Sequence, residues 1–488
     1  MNLTEYAEFD GLGLAELVAR GDVEPKELAE VALQGVEVVN PALNAVIETF
    51  PERAASLTRE GLPDGLFRGV PFLIKDLGMT EEGVRSESCS RLAEGLVADH
   101  DTELMVRFRN AGLVNLGRTT APEMGYSTTT ESLFHGATRN PWNTGRITDG
   151  SSGGACAAVA AGVVPVAHAN DGGGSIRGPA ACCGLVGLKP TRGRTPTGPD
   201  HGEFLSGLAI EFAVTRTVRD SAALLDELAG PGVGDPYVIP GPDHPYRYAV
   251  DSRPDKQRVA FSTTPWFGPD PETEIVAAVE ATAELCEEMG HEVVEASPNF
   301  DGEAFLKATH DVWCAHMAHG IDHLAGVVGR VPGPDNLERC TWACYEYGRS
   351  LKAHDLLRGF DVFNAVSRSV APFFCEFDVL VTPNSSMLAP PIGTFDQNAP
   401  DLDAWGWTEH LFSFDTFLPL YNTTGQPAIT LPLHQSEDGL PIGVQFAARF
   451  GGETTLLRFA AALEEALPWV DRRPTIHVVH PCCPKPAS

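Results

Sequence analysis

Two short loops rich in glycine and serine hold the residues of this 488-residue chain that are best suited to chemistry. The first is G-S-S-G-G at residues 150–154, and the second is D-G-G-G-S at residues 171–175. Glycine lets a backbone approach a ligand closely, and each loop leads into a run that can begin a helix. Free N–H groups at such points stabilise developing negative charge. Residues 148–194 are therefore predicted to be the catalytic centre of a hydrolase.

A lysine within an apolar stretch is the candidate base for these serines. Residues 69–77, G-V-P-F-L-I-K-D-L, have the composition of a buried strand, and Lys75 stands near its end. Ligands gather at strand ends in α/β sheets, and a desolvated lysine has a lowered pKa, which lets it act as a base. The alternative is a lysine whose amine extends into solvent, and spacing alone favours neither.

Motifs for two other chemistries are absent from the sequence, which has no G-x-x-x-x-G-K-[ST] loop and no H-E-x-x-H helix. Two serines and a lysine remain, which are the ingredients of a Ser–Lys variant of the catalytic triad. A metal site is the alternative for a group of histidines and cysteines in predicted helices, but their spacing matches no standard zinc pattern, so no metal is expected. That group is His310, Cys314, His316, His319, Cys340 and Cys344.

Charge and hydropathy exclude several partners. The net charge of −31 argues against binding to nucleic acid or to an anionic membrane. No apolar run has the length of a membrane span, and the first residues lack the features of a signal peptide, so a cytoplasmic protein is predicted. The eleven cysteines lack the paired spacing of a disulfide framework.

The elements that must position these residues alternate between strand and helix, which predicts an α/β fold. The aromatic residues Trp313, Trp342, Tyr345 and Tyr347 either pack a helical core or line an apolar pocket. Predicted helices cover residues 13–20, 25–39, 101–110, 218–229, 271–289, 454–467 and most of 305–374. Predicted strands cover residues 69–77, 113–117, 257–262, 377–382, 429–433 and 442–447.

Three motifs resemble those of the amidase signature enzymes: G-V-P-F-L-I-K-D, G-S-S-G-G-A-C-A-A-V-A-A-G and D-G-G-G-S-I-R-G-P-A-A-C-C-G-L-V-G-L-K-P-T. Further matches extend to G-Q-P-A-I-T-L-P and G-L-P-I-G-V-Q-F, so the resemblance covers nearly the whole chain. It implies a central mixed sheet with helices on both faces. It also implies one domain over residues 1–475, with a catalytic core at about 65–230, a helical cap at about 300–375 and a tail at 476–488.

The resemblance implies a role for each residue of the motifs. Ser175 would be the nucleophile, Ser151 the bridging serine after a cis peptide bond, and Lys75 the base of an acyl-enzyme mechanism that needs no cofactor. Further residues would form the oxyanion hole through their backbone N–H groups: Gly172, Gly173, Gly174 and Ser175. Three more would hold the loops in place: Ser152, Asp171 and Arg177. Two positions depart from the family pattern, Asp149 in place of glycine and Gly172 in place of a larger residue.

Within the family, A-P-E-M-G-Y, G-A-T-R-N-P-W-N and A-L-P-W-V-D-R-R-P resemble amidases of the 6-aminohexanoate cyclic dimer hydrolase type. The resemblance places substrate against Met124, Gly125 and Tyr126, with Trp313 or Cys314 opposite the nucleophile. The implied partner is a small amide, cyclic or linear, and the implied assembly is a homodimer.

Three other substrates stay open at this point. Carbamates and aryl acylamides also suit an aromatic pocket. The third is mischarged glutamyl-tRNA, on which the glutamyl-tRNA amidotransferase of the same family acts. The segment T-P-T-G-P-D-H-G at 195–202 differs from the S-S-L-D-Q-I-G-P that is usual in that amidotransferase, and the acidic chain offers no surface for RNA.

Overall fold

Strands form the centre of the fold. The computed structural model describes residues 1–480. Eleven of the thirteen strands in these residues form one sheet, and the other two, β4 and β5, pair with each other. In chain order they are β1 (Val46–Thr49), β2 (Pro71–Lys75), β3 (Val114–Thr119), β4 (Glu131–Ser132), β5 (Gly136–Ala137), β6 (Val166–Asp171), β7 (Val186–Lys189), β8 (Ile210–Thr215), β9 (Arg258–Phe261), β10 (Glu292–Glu295), β11 (Val379–Pro383), β12 (Ala428–Gln435) and β13 (Pro441–Ala448).

The strand order of the large sheet is β1-β3-β2-β6-β8-β7-β12-β13-β11-β9-β10. β2 is parallel to β3 and to β6, whereas β6 and β8 are antiparallel, so the sheet is mixed, as predicted. The carboxyl ends of parallel neighbours meet at one edge of a sheet. Lys75 at the end of β2 and Asp171 at the end of β6 therefore lie at the same edge.

Helices flank the sheet and follow both glycine-rich loops. In the described residues they are α1 (Leu3–Tyr6), α2 (Gly11–Arg20), α3 (Pro25–Leu43), α4 (Pro51–Ser56), α5 (Glu103–Asn110), α6 (Gly153–Ala160), α7 (Arg177–Cys183), α8 (Val218–Leu228), α9 (Thr273–Glu288), α10 (Gly302–Val328), α11 (Arg339–Ser350), α12 (Ala353–Val370), α13 (Phe373–Glu376), α14 (Ala404–Phe412), α15 (Leu420–Thr424) and α16 (Glu453–Ala466). Across residues 1–480, no helix combines the length and apolar character that a bilayer span requires.

Local sequence signals explain where the long helix α10 begins and ends. The Asp301 carboxylate accepts a hydrogen bond from the Ala304 N–H at 3.0 Å, which caps the first turn. Gly329 ends the helix in the left-handed region, with φ 66°, where glycine is favoured. Strands β1, β6, β7 and β8 of the large sheet were not predicted, because each is a run of only four to six residues with too few alternating positions to be recognised.

The apolar core has two parts. The larger part packs helices against the sheet and includes the buried side chains of β2, β3, β6 and α6. The second part lies among α10, α11, α12 and α14, of which the first three fall within the residues predicted as a helical cap. Tyr345 is buried in that second core, and Trp342 and Tyr347 pack against it, so these three aromatic residues take part in core packing.

The described part of the predicted tail packs against the body of the protein. Ile476 and Val478 are buried, and the Val478 N–H donates to the Ala161 carbonyl at 2.9 Å. The rest of the predicted tail, residues 481–488 with Cys482 and Cys483, lies outside the described residues.

Candidate active site

Lys75 is the centre of a buried polar cluster at the end of β2, and its side chain is only 1% exposed. Its Nζ lies 2.6 Å from Ser151 Oγ, 3.0 Å from Ser152 Oγ and 2.6 Å from Asn170 Oδ1. The structure therefore brings together Lys75 and both serines of the first loop. The burial of Lys75 rules out the alternative of an amine that extends into solvent.

The hydrogen bonds that the neighbouring residues make determine which hydrogen bonds the Lys75 amine can donate. Asn170 Nδ2 donates to the Leu77 carbonyl at 2.9 Å and to Glu211 Oε1 at 3.1 Å, so the Asn170 carbonyl oxygen faces Lys75. Ser152 Oγ donates to the Asn170 backbone carbonyl at 3.3 Å, which leaves its lone pairs for Lys75. A neutral amine has two N–H donors and one lone pair. If the neutral amine donates to Ser152 and Asn170, its lone pair is free to accept the Ser151 proton.

Burial lowers the pKa of Lys75 to about 7, because the charged ammonium loses its hydration there. The nearby Glu211 carboxylate partly opposes this shift. A substantial fraction of the amine is therefore neutral near pH 7, which is the form that can accept a proton.

Three residues that sequence reasoning missed support Lys75 from β6 and β8. His168 and Asn170 alternate along β6 and so point to one face of the sheet. His168 Nδ1 accepts the Lys75 backbone N–H at 3.3 Å, and Nε2 lies 2.6 Å from Glu211 Oε2. The signal in the sequence was V-A-H-A-N-D, a buried strand with polar residues at alternate positions.

The loop before α6 holds Ser151. Its Gly150–Ser151 peptide bond is cis, as the resemblance implied. Residue 150 must be glycine, since a Cβ there would lie 2.4 Å from the Ser127 carbonyl oxygen. The unusual Asp149 adopts φ 64°, and its Oδ1 accepts the Gly150 N–H at 2.5 Å. Burial and the nearby Asp415 carboxyl hold the pKa of Asp149 well above its usual range.

The second loop wraps around the Asp171 carboxylate. Arg177 binds that carboxylate through Nε at 2.9 Å and NH2 at 3.0 Å, and both side chains are fully buried. The Gly174 N–H donates to Asp171 Oδ1 at 2.8 Å and the Ile176 N–H to Oδ2 at 3.2 Å. Burial opposes ionisation here, but the Arg177 guanidinium lowers the pKa of Asp171 to about 2. The ion pair therefore fixes the shape of the loop that carries Ser175.

The backbone N–H groups of this loop differ in their availability. The Gly174 N–H is engaged by Asp171, whereas the N–H groups of Gly172, Gly173 and Ser175 have no acceptor among residues 1–480, and of these three residues Gly173 and Ser175 line the pocket described below. Gly172 lies against the indole of Trp313, since a Cβ on Gly172 would come within 2.9 Å of Trp313 Cζ2. The indole of Trp313 therefore occupies the space into which a side chain at position 172 would extend.

An open pocket lies beside Ser175, with about 320 Å³ of space that includes its opening to solvent. Tyr126 and Trp313 stack in its wall, with ring centroids 4.7 Å apart and planes 16° from parallel. Both glycine-rich loops and three other segments contribute to the lining: Gly125, Tyr126, Ser127, Thr128, Gly150, Gly173, Gly174, Ser175, Trp313, Leu411, Phe412 and Asp415.

Two of the expected substrate contacts lie outside this lining. Met124 packs against the second core, and Cys314 lies 3.7 Å from His310 Nδ1 within α10. Trp313 and Cys314 were the two candidates for the position opposite Ser175. Trp313 lines the pocket, whereas Cys314 does not.

The histidines and cysteines considered as a metal site do not all face the same part of the structure. His310 and Cys314 face the core, while His316 Nε2 lies 2.8 Å from Ser206 Oγ. Among the described residues, one set of side chains comes close enough to share an ion: Asp76, Cys89 and His135. Arg118 already binds the Asp76 carboxylate at 2.7 Å, which offsets the negative charge that would attract a cation.

Comparison with known proteins identifies relatives that all belong to one family, the amidases. The Amidase family matches residues 27–457. The 6-aminohexanoate-cyclic-dimer hydrolase of Paenarthrobacter ureafaciens is 39% identical over 480 residues, which cover 96% of each chain. An acylamidase of Rhodococcus erythropolis is 36% identical and covers 96% of this chain and 97% of its own. A solved structure of 6-aminohexanoate cyclic dimer hydrolase superimposes with a TM-score of 0.90 at 38% identity, over 96% of this chain and 99% of that one.

These matches extend far beyond the glycine-rich loops, since they include the sheet, the helical cap and the C-terminal strands. They confirm the predicted α/β fold and the predicted enzyme class. The chain belongs to the amidase family and is a hydrolase that cleaves amide bonds.

Proposed function

We propose that the enzyme cleaves aliphatic amides, cyclic or linear, through an acyl-enzyme on Ser175, with Ser151 and Lys75 as a proton relay. The observation that carries this proposal is the 2.6 Å contact between the buried Lys75 Nζ and Ser151 Oγ, beside the pocket that holds Ser175. An amine whose lone pair faces a serine hydroxyl, with a pKa of about 7, is suited to act as a general base.

The proton moves in two directions during one cycle. Ser175 Oγ attacks the amide carbonyl as its proton passes to Ser151 Oγ, and the Ser151 proton passes to Lys75 Nζ. The relay then runs backwards and protonates the leaving amine, so the C–N bond breaks and an ester on Ser175 remains. Water, activated by the same relay, hydrolyses that ester and restores the free serine.

The N–H groups of Gly173 and Ser175 are the donors best placed to hold the oxyanion, since neither has another acceptor among the described residues. Each such donor is worth about 3 kcal/mol of transition-state stabilisation. The Gly174 N–H contributes indirectly, because its bond to Asp171 shapes the loop.

The substrate class follows from the pocket and from the relatives. Tyr126, Trp313, Leu411 and Phe412 give the pocket an apolar wall that suits methylene chains. Both the curated relative and the solved structure are named for the cyclic dimer of 6-aminohexanoate, and this cyclic diamide is the first substrate to test. Family resemblance also suggests a homodimer, which light scattering on the purified protein would test.

Acylamide hydrolysis is the second candidate. The acylamidase relative and the Tyr126–Trp313 stack both favour it, because an aryl leaving group can lie against aromatic rings. Carbamates present the same carbonyl to Ser175 and stay a further alternative.

A substrate panel tests the proposal: the 6-aminohexanoate cyclic dimer, a linear aliphatic amide, an anilide, an aryl carbamate and a glutaminyl donor. Wild type, Ser175→Ala and the matched control Ser252→Ala, an exposed serine, are assayed side by side. We expect turnover of the aliphatic amides by wild type and by Ser252→Ala, and none by Ser175→Ala. Activity that survives Ser175→Ala would overturn the role of Ser175. Turnover of the glutaminyl donor alone would favour the tRNA amidotransferase alternative.

A further inference from the structure

Asp415 and Thr128 are polar residues of the pocket whose hydrogen-bonding capacity is unused. Both line the pocket beside Ser175, and their exposed fractions are only 4% and 6%. Asp415 Oδ1 and Thr128 Oγ1 are buried without a hydrogen-bond partner among the described residues. Burying such a group unpaired costs about 1–3 kcal/mol, and a ligand that pairs with both groups would recover that cost.

No cation neutralises Asp415 in this pocket, as far as residues 1–480 describe it. The Arg177 guanidinium, which acts on Asp415 electrostatically, is already bound to Asp171 through two hydrogen bonds. Asp149 and Asp171 add further acidic groups on the same side. Burial holds the pKa of Asp415 well above its usual range, Arg177 lowers it and Asp171 raises it. The raised pKa favours the protonated form of the Asp415 carboxyl, which has one O–H donor and one carbonyl acceptor.

An amide is the complement of this arrangement. A protonated carboxyl accepts an N–H and donates to a carbonyl oxygen, and the Thr128 hydroxyl can take either role. The remaining wall, with Trp313, Leu411 and Phe412, is apolar and suits the methylenes between two amide groups. A simple monoamide would occupy Ser175 but leave Asp415 and Thr128 unpaired.

We propose that Asp415 and Thr128 form a subsite for a second, non-scissile amide of the substrate, so that the enzyme selects diamides over monoamides. The proposal rests on the proposed function, because it assumes that the scissile amide lies at Ser175. It adds two specificity-determining residues to the pocket and names the substrate feature that they recognise.

Three substrates that release butylamine from the same scissile bond test the subsite. N-butyl 6-acetamidohexanamide carries a second amide, N-butylnonanamide replaces it with methylenes, and N-butyl 6-aminohexanamide carries an ammonium group. The readout is kcat/KM for butylamine release, expressed as the ratio of diamide to monoamide. We expect wild type to prefer the diamide by roughly tenfold or more, the size of effect that unpaired polar groups in a pocket produce.

Substitutions at Asp415 and Thr128 test whether these two residues cause the preference for the diamide. Asp415→Ala and Thr128→Val should bring the ratio close to one, and Asp415→Asn should keep most of it, because a carboxamide also offers an acceptor and a donor. Thr128→Val is nearly isosteric and keeps the test valid if Asp415→Ala does not fold. The matched control is Glu409→Ala, which removes an exposed carboxylate of α14 and should leave the ratio as in wild type.

Each contrary result has a distinct meaning. A wild-type ratio near one, or a ratio that Asp415→Ala does not change, would overturn the subsite. Preference for the ammonium substrate together with loss of activity in Asp415→Asn would overturn it in favour of a charged carboxylate that binds cations. If no substrate released butylamine, the proposed function would fail instead. Calorimetric binding of the diamide and the monoamide to Ser175→Ala would then test the subsite on its own.

Discussion

On the side of the pocket formed by β2, β6 and the two glycine-rich loops, the polar side chains around Lys75 and Asp171 are paired with one another. The lining of the same pocket also includes Thr128 and Asp415, here called the unpaired side, whose two buried oxygens have no partner among the described residues. The paired side holds its geometry before a substrate arrives, which is what catalysis by a preorganised relay requires. We expect the unpaired side to bind the substrate, so that specificity and catalysis would depend on different residues of one pocket.

The largest effect is expected on the paired side from Lys75→Met, which keeps the length of the side chain and removes the base. We expect kcat/KM to fall by about 10²- to 10⁴-fold, the usual contribution of a positioned base. Lys26→Met, at an exposed lysine, is the control and should match wild type. A Lys75→Met enzyme with wild-type turnover would show that the proton leaves Ser151 by another route.

Asp171→Asn should mainly affect stability. The substitution leaves the Arg177 guanidinium buried without its counter-charge, and breaking a buried pair in this way costs about 3–5 kcal/mol of unfolding free energy. Urea denaturation measures the change. Asp22→Asn breaks an exposed pair with Arg20 and should cost less than about 1 kcal/mol. Equal losses in the two variants would mean that the Asp171–Arg177 pair does not stabilise the loop.

Gly172→Thr probes the boundary between the two sides. Its Cβ would lie 2.9 Å from Trp313 Cζ2, so either the indole or the nucleophile loop must move, and we expect kcat/KM to drop by roughly tenfold or more. Trp313→Ala in the same chain should restore part of the loss, which a double-mutant cycle measures. The control is Gly241→Thr, where a Cβ meets nothing within 4 Å. Additive losses would contradict direct contact between positions 172 and 313.

Tyr126→Phe should have the smallest effect. It removes the hydroxyl that lies 2.8 Å from Thr408 Oγ1 and keeps the stack on Trp313, so we expect a loss of about 1 kcal/mol in unfolding free energy. Tyr248→Phe, at a half-exposed tyrosine, is the control for urea denaturation. An unchanged Tyr126→Phe would show that this hydrogen bond does not stabilise the pocket wall.

The sequence predicted the paired side better than the unpaired side, for a physical reason. Lys75, Ser151 and Asp171 lie in contiguous motifs whose strand and loop character can be recognised locally. Asp415 enters the pocket from a segment far along the chain, and only the packing of the second core brings it near Ser175. The choice between Trp313 and Cys314 depends on the rotation of α10, which a one-residue shift in register changes by about 100°.

The residues that support Lys75 could be predicted only in part. His168 and Asn170 stand in a motif that was recognised, but their contact with Glu211 depends on the antiparallel pairing of β6 with β8. Since β8 was not predicted, its pairing partner could not be assigned. Asp149 and Gly172 were recognised as departures from the family pattern, and only the structure relates Gly172 to the position of Trp313.

The pH dependence of kcat/KM on the uncharged cyclic dimer tests the relay most directly, because it reports the ionisation of the free enzyme. With the pKa of Lys75 near 7, the neutral amine forms as pH rises. We expect kcat/KM to increase about tenfold per pH unit below 7 and to level off above it. Residual activity in Lys75→Met should lose this step. A profile that is flat between pH 5 and pH 9, or a step that persists in Lys75→Met, would contradict the role of Lys75 as the base.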